Sequence, residues 1–313
     1  MENYFDVIII GGGPAGLTAG IYLSRAKHST LILNEGAAGG QMVLTHEVAN
    51  YPGIESISGY QLSRNMRKQA ESFGCKVKSN IKVTNINLQA ELKTAEVNNN
   101  ETYFSKSIIL ATGGKSRTIG AIGEDKFKGK GISYCATCDG DFFQDKNIIV
   151  VGGGNSALEE AVSLTKYASS VTIVHQFDHF QAFESAVTEA KENSKISFIM
   201  ESEIQEFLGD EKLEKVIIKN MRTGEISAKE IDGVFILIGY VPNTESLKNI
   251  IALNNRGEII TNDAMETSVP GVFAAGDSRA KRYRQITTSV SDGTIAALSA
   301  AEFIEKNKEN VFA

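Results

Sequence analysis

Two segments of the chain carry the same pattern of apolar and glycine positions. Residues 7–16 read Val-Ile-Ile-Ile-Gly-Gly-Gly-Pro-Ala-Gly, and residues 148–157 read Ile-Ile-Val-Val-Gly-Gly-Gly-Asn-Ser-Ala. Each apolar run is typical of a strand buried on both faces, and each glycine turn leads into a helix-periodic stretch. The predicted helix and following strand are 17–27 and 30–34 in the first copy, and 158–167 and 171–174 in the second. The repeat therefore predicts two βαβ units.

The rest of the pattern predicts how these units are completed. It indicates helices over 58–73 and 287–304, antiparallel ribbons over 77–103 and 203–230 with turns at 98–100 and 223–224, and buried strands over 108–114, 234–238 and 271–277. The last segment has no strand set of its own, so we expect it to complete the sheet that begins near residue 1. We therefore predict an α/β fold of two nucleotide-binding, Rossmann-like, three-layer domains, the second inserted into the first. The predicted boundaries are 1–114 with 244–313 for the outer domain and 115–243 for the inserted domain.

Composition and charge narrow the class of protein. The 313 residues are 42% hydrophobic and 22% charged, which excludes a mostly disordered chain. A net charge of −6 argues against nucleic acid as a bulk electrostatic partner. The apolar runs are strand-sized rather than the roughly 20 residues of a membrane span, and the first run lacks the basic flank of a signal peptide. We expect a cytoplasmic protein with no membrane and no nucleic-acid partner.

The first glycine motif has the spacing of a dinucleotide site. Gly11, Gly13 and Gly16 follow the predicted strand and open the predicted helix. Glu35 falls 24 residues after Gly11, at the end of the next strand, where an acid accepts the ribose hydroxyls. The N-terminus of the helix would hold the pyrophosphate. A dinucleotide is therefore expected here.

The second motif keeps its turn but not its ligand groups. Gly152, Gly154 and Ala157 repeat the glycine pattern, yet the same offset of 24 leads to Gln176. Neither an acid for an NAD ribose nor an arginine for the 2′-phosphate of NADP stands there. Asp178, two residues further on, is interpreted as a solvated turn acid. The pattern predicts a nucleotide-binding fold that has lost its nucleotide.

The cysteines indicate redox chemistry. Cys135 and Cys138 have no second Cys-x-x-Cys and no paired histidines nearby, so the four ligands of a structural zinc site are absent from the sequence pattern and no metal is expected. A dithiol/disulfide pair is the better interpretation. Asp139 adjoins the pair, either as a proton donor and acceptor or as a turn residue before Gly140. Cys75 is predicted to be a buried thiol.

These motifs closely resemble those of the low-molecular-weight thioredoxin reductases, over nearly the full length of the chain. The matching signatures are Gly11-Gly-Gly-Pro-Ala-Gly16, Gly39-Gly-Gln41, Asn50-Tyr-Pro-Gly53, Ala111-Thr-Gly113, Cys135-Ala-Thr-Cys-Asp-Gly140, Ala275-Gly-Asp277 and Tyr283-Arg-Gln285. The cysteine hexapeptide followed within 15 residues by a second glycine motif is highly specific. The resemblance implies an FAD domain built from both ends of the chain, an inserted domain carrying the cysteines, and a homodimer.

The resemblance also implies roles for individual residues. Cys138 would face the flavin, Cys135 would attack thioredoxin, and Asp139 would be the acid/base. Asp277 would hydrogen-bond the flavin ribitol. The full set of FAD-binding residues expected on this basis is Gly11, Gly13, Pro14, Ala15, Gly16, Glu35, Gly40, Gln41, Asn50, Ala111, Thr112, Gly113, Gly276, Asp277, Arg284, Gln285 and Ile286.

One departure from the family pattern concerns the electron donor. Members that use NADPH carry His-Arg-Arg after the second glycine motif, and a further arginine four residues on, which grip the 2′-phosphate. The corresponding residues here are His175, Gln176, Phe177 and Gln181. The resemblance therefore narrows to the ferredoxin-dependent flavin thioredoxin reductases. The predicted donor is reduced ferredoxin or a similar one-electron carrier.

An acidic carrier needs a basic face on this acidic chain. Two clusters offer one, unless they are ordinary solvated loops: Arg279, Lys281, Arg282 and Arg284 form the first, and Lys126, Lys128 and Lys130 form the second. Two alternatives to the ferredoxin prediction remain. One is an NADPH- or NADH-dependent enzyme with an atypical nucleotide site, and the other is a non-catalytic FAD protein that serves as a thiol sensor or scaffold.

Overall fold

A computed structural model of the chain describes residues 3–45, 47–98 and 101–309. The chain divides into two compact units, one of Met1–Lys115 with Val241–Ala313 and the other of Ser116–Tyr240. Within the described residues, no helix combines the length and the apolar content that crossing a membrane requires. The cytoplasmic location stays a prediction.

The strands occur throughout both units. They are β1 (Tyr4–Ile10), β2 (Thr30–Asn34), β3 (Lys76–Ser79), β4 (Val83–Asn87), β5 (Lys93–Val97), β6 (Glu101–Leu110), β7 (Gly114–Ser116), β8 (Ile132–Ser133), β9 (Asn147–Val151), β10 (Ser170–Val174), β11 (Ile196–Ile199), β12 (Ser202–Leu208), β13 (Lys215–Asn220), β14 (Ile226–Glu230), β15 (Gly233–Ile236), β16 (Tyr240–Pro242) and β17 (Val272–Ala274).

The helices follow most of the glycine turns. They are α1 (Pro14–Arg25), α2 (Gly59–Ser72), α3 (Glu124–Phe127), α4 (Ala136–Asp139), α5 (Asn155–Leu164), α6 (Glu184–Glu192) and α7 (Ile286–Glu309). Short 3₁₀ turns cover Gly40–Leu44, Gly140–Phe143, Glu245–Leu247 and Gly276–Ser278. The helix predicted over 58–73 is α2: the Ser58 hydroxyl caps its start by accepting from Gln61 N, and Gly74 follows its end.

The first unit is built on one mixed sheet in the order β3-β2-β1-β6-β5-β4, with β17 also beside β6. Strand β6 is ten residues long, so its first half pairs antiparallel with β5 while its last three residues pair parallel with β17. The segment near the C-terminus therefore completes the sheet that β1 begins, as the sequence predicts. Helices α1 and α7 pack together over one face, where Leu17, Phe273 and Ala296 are fully buried.

The ribbon predicted over 77–103 is wrong in its first strand. Strand β3 lies at the sheet edge and pairs parallel with β2, with Leu31 opposite Lys76. Helix α2 connects the two strands, and such a crossover returns the chain in the same direction. Strands β4, β5 and β6 are antiparallel as predicted. Of the predicted turn at 98–100, residues 99 and 100 lie outside the described part of the chain.

The second unit has an all-parallel sheet in the order β11-β10-β9-β15-β8. One face packs on α5 and α6, through side chains such as Leu158 and Val187. The other face packs on the antiparallel sheet β12-β13-β14, through side chains such as Ile204 and Val216. The predicted α/β class with two Rossmann-like units is confirmed.

Candidate functional site

The first glycine turn is packed so closely that side chains are excluded. Gly11 has φ +110°, and a Cβ added to it would lie 2.1 Å from the carbonyl oxygen of Ala111. A Cβ on Gly16 would lie 1.9 Å from the carbonyl oxygen of Gly11. These contacts bring the ends of β1 and β6 against the start of α1. The predicted residues Gly11, Gly16 and Ala111 therefore meet in one place.

The N-terminus of α1 is arranged to receive an anion. The helix begins with Pro14, and the preceding Gly13 makes no side-chain capping hydrogen bond. Because the first backbone N–H groups of a helix point outward and carry partial positive charge, such an end binds phosphate. Gly40 approaches this end, since a Cβ added to it would lie 3.1 Å from Cα of Gly13.

A buried asparagine that the sequence analysis missed holds this turn. Asn34 Oδ1 accepts the N–H of Gly12 at 2.7 Å, and its Nδ2 donates to the carbonyls of Gly36 and Ala37. It thereby ties the glycine turn to the loop after β2. A polar residue at the end of an otherwise apolar strand was the available signal. Glu35 follows directly and is exposed, at the end of β2 where a ribose acceptor is predicted.

The end of β6 presents an unpaired hydroxyl. Thr112 Oγ1 is buried and has no hydrogen-bond partner among the described residues. Its carbonyl and that of Gly113 accept from Asn243, at 3.0 and 2.9 Å. A buried orphan donor needs a partner. Together with the glycine-lined helix end, it fits a bound dinucleotide.

Asp277 lies just past β17, and its carboxylate contacts a lysine and a serine. Its Oδ1 accepts from Ser289 Oγ at 3.2 Å and lies 3.5 Å from Lys281 Nζ. Burial raises the pKa of Asp277, while the Lys281 ammonium and the Ser289 hydrogen bond oppose that shift. Gly276 packs on α1, because a Cβ added to it would lie 2.9 Å from Ala15 Cβ. Asp277 therefore sits beside the same helix start.

Other predicted FAD-binding residues lie in connecting segments and at the start of α7. Asn50 Nδ2 donates to Gln285 Oε1 at 3.4 Å, although the two are 235 positions apart. Ile286 begins α7, and Gln41 is exposed in the 3₁₀ turn after Gly40. Whether each of these residues contacts FAD stays a prediction.

One part of the predicted basic face is wrong. Arg279 and Lys281 bind Asp292 at 3.2 and 2.9 Å, with side chains only 15% and 8% exposed. Arg284 makes an ion pair with Glu258. Three of the four cations in the first cluster are thus neutralised within the unit. Arg282 is exposed, with its guanidinium 5.2 Å from the ring centre of Tyr283.

The second unit carries the redox pair. Cys135 and Cys138 form a disulfide with a Cα–Cα distance of 5.3 Å, at the start of the one-turn helix α4. Cys75 is a free, buried cysteine, and burial raises its pKa to about 12. Both predictions about the state of the cysteines are confirmed. A thiol with so high a pKa is not nucleophilic at neutral pH.

Two partly buried carboxyl groups contact the segment that carries the disulfide. Asp139 Oδ2 accepts from Ser133 Oγ at 2.5 Å, and Glu160 Oε2 accepts from Ala136 N at 3.2 Å. Burial raises the pKa of each carboxyl group. A carboxyl group whose pKa is raised keeps its proton more readily and can donate it during catalysis. The cysteine motif indicates Asp139 from the sequence, whereas no motif indicates Ser133 or Glu160.

The loop after β10 is lined by aromatic rings. The buried ring of His175 stacks on Phe180 at 5.7 Å and meets Phe177 edge-on at 5.4 Å. Desolvation lowers the pKa of His175, so the ring is neutral near pH 7. A Cβ added to Gly153 would lie 2.3 Å from this ring. An aromatic ring, that of Phe177, therefore stands at one of the three positions where the family pattern has arginines, and it packs on His175.

Asp178 fits its interpretation as a turn acid. Its side chain is 75% exposed and its Oδ1 lies 2.6 Å from His179 Nδ1. That hydrogen bond is the largest cause lowering the pKa of Asp178, and the charge of Arg222 adds to it. Arg222, on the turn between β13 and β14, is a cation near this loop that the sequence analysis did not consider. Its Nε lies 3.3 Å from Glu201 Oε2.

Two Rossmann-like units, one with a dinucleotide cradle and the other with a disulfide beside a partly buried acid, define a dinucleotide-binding disulfide oxidoreductase. The sequence model of the family described as pyridine nucleotide-disulphide oxidoreductase matches residues 5–293. Thioredoxin reductases of Peptoclostridium acidaminophilum and Listeria monocytogenes are 46% and 44% identical, each over 99% of this chain and over 100% and 97% of their own lengths. A 34.2 kDa protein in a rubredoxin operon of Clostridium pasteurianum is 45% identical, over 97% of this chain and 98% of its own.

Solved structures agree with these relatives. The thioredoxin reductase of Streptococcus pyogenes MGAS5005 superposes with a TM-score of 0.94 at 40% identity, over 98% of this chain and 100% of that one. The thioredoxin reductase of Giardia duodenalis superposes with a TM-score of 0.91 at 35% identity, over 97% and 99%. The chain belongs to the low-molecular-weight thioredoxin reductase family. It is an enzyme of that class, and its cofactor is FAD.

Proposed function

We propose that this enzyme reduces thioredoxin through Cys135 and Cys138. The observation that carries the proposal is the Cys135–Cys138 disulfide with the partly buried Asp139 next to Cys138. In the reduced enzyme, the Cys135 thiolate attacks the thioredoxin disulfide and forms a mixed disulfide. The Cys138 thiolate then attacks Cys135 Sγ, which releases the second thioredoxin thiolate. Two electrons pass from the enzyme dithiol to thioredoxin, and Asp139 supplies a proton to the departing thiolate.

FAD is proposed to bind to the first unit. The start of α1 would hold the pyrophosphate, Glu35 the ribose, Asp277 the ribitol, and Thr112 Oγ1 is a donor or acceptor that the protein leaves open. When bound, FAD would supply the chemistry of accepting electrons singly or in pairs. The other FAD contacts and the homodimer that the resemblance implies also belong to this proposal.

The electron donor is proposed to be reduced ferredoxin or a similar one-electron carrier. Its support is the loop after β10, where Gln176, Phe177 and Gln181 replace three arginines. A 2′-phosphate placed there would lose charge-assisted hydrogen bonds worth roughly 1.5–3 kcal/mol each. Two such losses correspond to about two to four decades of affinity.

Docking of an acidic carrier is proposed to use the cations that remain exposed. In the first cluster that is Arg282. In the second cluster Lys126 and Lys130 are exposed, although Lys126 Nζ also donates to the carbonyl of Gly209 at 3.0 Å. Lys128 Nζ lies 4.9 Å from the ring centre of Tyr134.

NADPH or NADH through an atypical site is the second candidate. Arg222 favours nucleotide binding. Its charge lies close enough to lower the pKa of Asp178, which is next to Phe177, one of the positions where the family pattern has an arginine. The ion pair with Glu201 opposes it by neutralising that charge. Replacing Arg222 by Met tests the candidate directly, since an NADPH-dependent rate that requires Arg222 would fall at least tenfold.

One experiment distinguishes the candidates. The oxidised holoenzyme is mixed anaerobically with NADPH, with NADH or with two equivalents of ferredoxin that has been reduced with dithionite and desalted, and flavin absorbance is followed before and after addition of oxidised thioredoxin. We expect fast bleaching only with ferredoxin, followed by recovery of colour and appearance of two thioredoxin thiols per flavin. Rapid stoichiometric bleaching by NADPH or NADH would overturn the ferredoxin proposal. Bleaching without thioredoxin reduction would indicate the thiol sensor or scaffold instead.

A further inference from the structure

A serine outside the cysteine motif contacts both ends of its helix. Ser133 ends the two-residue strand β8 and is 5% exposed. Its Oγ lies 2.5 Å from Asp139 Oδ2 and accepts the backbone N–H of Cys135 at 3.1 Å. One hydroxyl group therefore links the predicted acid/base to the backbone of the predicted nucleophile.

The strand fixes this hydroxyl group. Ser133 is opposite Phe235 in the parallel pairing of β8 with β15, and the Phe235 side chain is fully buried. Helix α4 has only four residues and no side-chain cap at Cys135. A helix this short is not stable by itself. The position of Asp139 is thus set by its contact with the sheet through Ser133 rather than by α4 alone.

The same hydroxyl group can serve both protonation states of Asp139. When Asp139 is ionised, Ser133 donates its proton to Oδ2. When Asp139 is protonated, the carboxyl group donates to Oγ, and the serine proton can turn to the carbonyl of Cys135, 3.3 Å away. A hydroxyl group has one donor and two acceptor positions, so Ser133 Oγ keeps a hydrogen bond to Asp139 in both states.

We infer that Ser133 is a positioning residue for Asp139 in the thiol exchange step, an inference that rests on the proposed reduction of thioredoxin. In that step the thioredoxin S–S bond breaks, the Cys135–Cys138 S–S bond re-forms, and the proton on Asp139 passes to the departing thioredoxin thiolate. Asp139 becomes an ionised, partly buried carboxylate, which the Ser133 hydroxyl group stabilises. Solvent then returns the proton. Without Ser133, the carboxyl group would have neither its fixed position nor this donor.

The charged groups near Asp139 are acidic, which makes its hydrogen bond with Ser133 important. Asp141 raises its pKa further by charge repulsion, after the larger effect of burial, and the Ser133 hydrogen bond lowers it. On the other side of α4, Glu160 from α5 holds Ala136 N, and Glu159 is its neighbour. These neighbours are acidic, so the donor in contact with the Asp139 carboxylate is a neutral hydroxyl group.

The test uses thiol exchange that does not involve the electron donor. Wild-type holoenzyme and the variants Ser133→Ala, Ser133→Thr, Asp139→Asn and Ser133→Ala/Asp139→Asn are reduced with dithiothreitol, desalted anaerobically, mixed with oxidised thioredoxin and quenched with acid. Thioredoxin thiols are counted over time between pH 5 and 10. Glu160→Gln is the matched control, because it removes the other partly buried carboxylate and keeps an acceptor for Ala136 N.

Four results are expected. Ser133→Ala slows exchange about tenfold. The rate is expected to fall with rising pH as Asp139 loses the proton that it donates, and this alkaline fall moves up by about one pH unit in Ser133→Ala, because the lost hydrogen bond favoured the ionised form. Ser133→Thr, which keeps the hydroxyl group, restores the wild-type pH profile. Ser133→Ala has no further effect in Asp139→Asn. Glu160→Gln leaves the alkaline fall in place.

Several outcomes would overturn the inference. An unchanged pH profile in Ser133→Ala would do so, as would additive losses in the double variant, which indicate a structural role. Loss of the alkaline fall in Glu160→Gln would show that Glu160, and not Asp139, donates the proton. If the Ser133→Ala protein is not folded, the Ser133→Thr profile alone decides, and a shift of that profile contradicts the inference. Failure of the wild-type dithiol to reduce thioredoxin at all would instead refute the proposed function.

Discussion

Lys281 Nζ donates to Asp292 Oδ2 at 2.9 Å, and both side chains are less than one tenth exposed. Asp292 belongs to α7 and also accepts from Gly276 N at 3.1 Å and from Arg279 at 3.2 Å. It thereby joins α7 to the turn that carries Asp277. Arg279 and Lys281 balance the carboxylates of Asp292 and Asp277. These two cations, which the sequence suggested for docking, therefore stabilise the proposed FAD site from within the unit.

Asp292→Asn is expected to weaken FAD retention. The change is nearly isosteric but leaves two buried cations with one carboxylate, and breaking a buried pair in this way costs about 3–5 kcal/mol. Thermal unfolding of the holoenzyme and flavin release on dilution measure the effect, with at least a tenfold higher Kd for FAD expected. Arg282→Ala, on the same loop but exposed, is the control. Equal FAD affinity in the two variants would contradict this role.

Gly11→Ala is expected to give a protein without flavin. Its Cβ would lie 2.1 Å from the Ala111 carbonyl oxygen, in addition to the strain of φ +110°. Gly36→Ala is a matched control, because Gly36 has φ +89° but open space within 4 Å of an added Cβ. Strain alone costs about 1 kcal/mol, so Gly36→Ala should purify yellow. The ratio of flavin to protein absorbance distinguishes crowding of the turn from backbone strain.

The buried Cys75 thiol is expected to make the protein less stable in alkali. Its pKa is about 12 in the folded state against an ordinary value of 9.0, so above about pH 9 the unfolded chain loses a proton that the folded chain keeps. Stability therefore falls as pH rises from about 9 to 12, by about 1.4 kcal/mol per pH unit for one proton. Urea unfolding between pH 8 and 10.5 should show a smaller slope for Cys75→Ala. Parallel slopes in the two proteins would show that Cys75 titrates normally.

Adding the missing arginines is expected to create NADPH binding. In the triple variant Gln176→Arg, Phe177→Arg and Gln181→Arg, guanidinium groups meet the 2′-phosphate by charge-assisted hydrogen bonds. The Kd for NADPH, measured by calorimetry, should fall at least tenfold while that for NADH stays the same. The same three positions changed to Lys form the control for charge without bidentate geometry. A variant with no gain for NADPH would show that more than these side chains was lost.

Ferredoxin-driven flavin reduction is expected to depend on Arg282. Arg282→Glu should slow the rate severalfold at low ionic strength and reduce its sensitivity to salt, because exposed charges steer the encounter with an acidic carrier. Stopped-flow measurement at several salt concentrations provides the comparison. Lys126→Glu/Lys130→Glu tests the second cluster in the same way. If neither variant changes the rate, docking on these two clusters is excluded.

The sequence predicted much of the fold because the relevant signals were local. Continuous apolar runs that end in glycine marked β1 and β9, and the strand predicted over 30–34 is β2. The direction of β3 was missed, because a short alternating strand has the same pattern in parallel and antiparallel pairs. Only its connection through α2 decides the direction.

The candidate site was predictable where a motif fixed the chemistry and unpredictable where distant side chains complete it. Cys135, Cys138 and Asp139 are adjacent in sequence. Ser133, in contrast, has no distinguishing pattern around it, and its role is visible only from the position of its hydroxyl group. The pairing of Lys281 with Asp292 was likewise hidden, because charge counting along the chain does not show which cations are already neutralised.

The long strand β6 has a consequence for the order of events during synthesis. Its last residues pair with β17, which leaves the ribosome more than 150 residues later, whereas Ser116–Tyr240 is one continuous segment. Domains generally fold as units as they emerge. The cysteine unit can therefore acquire its structure while the sheet of the first unit still lacks a strand.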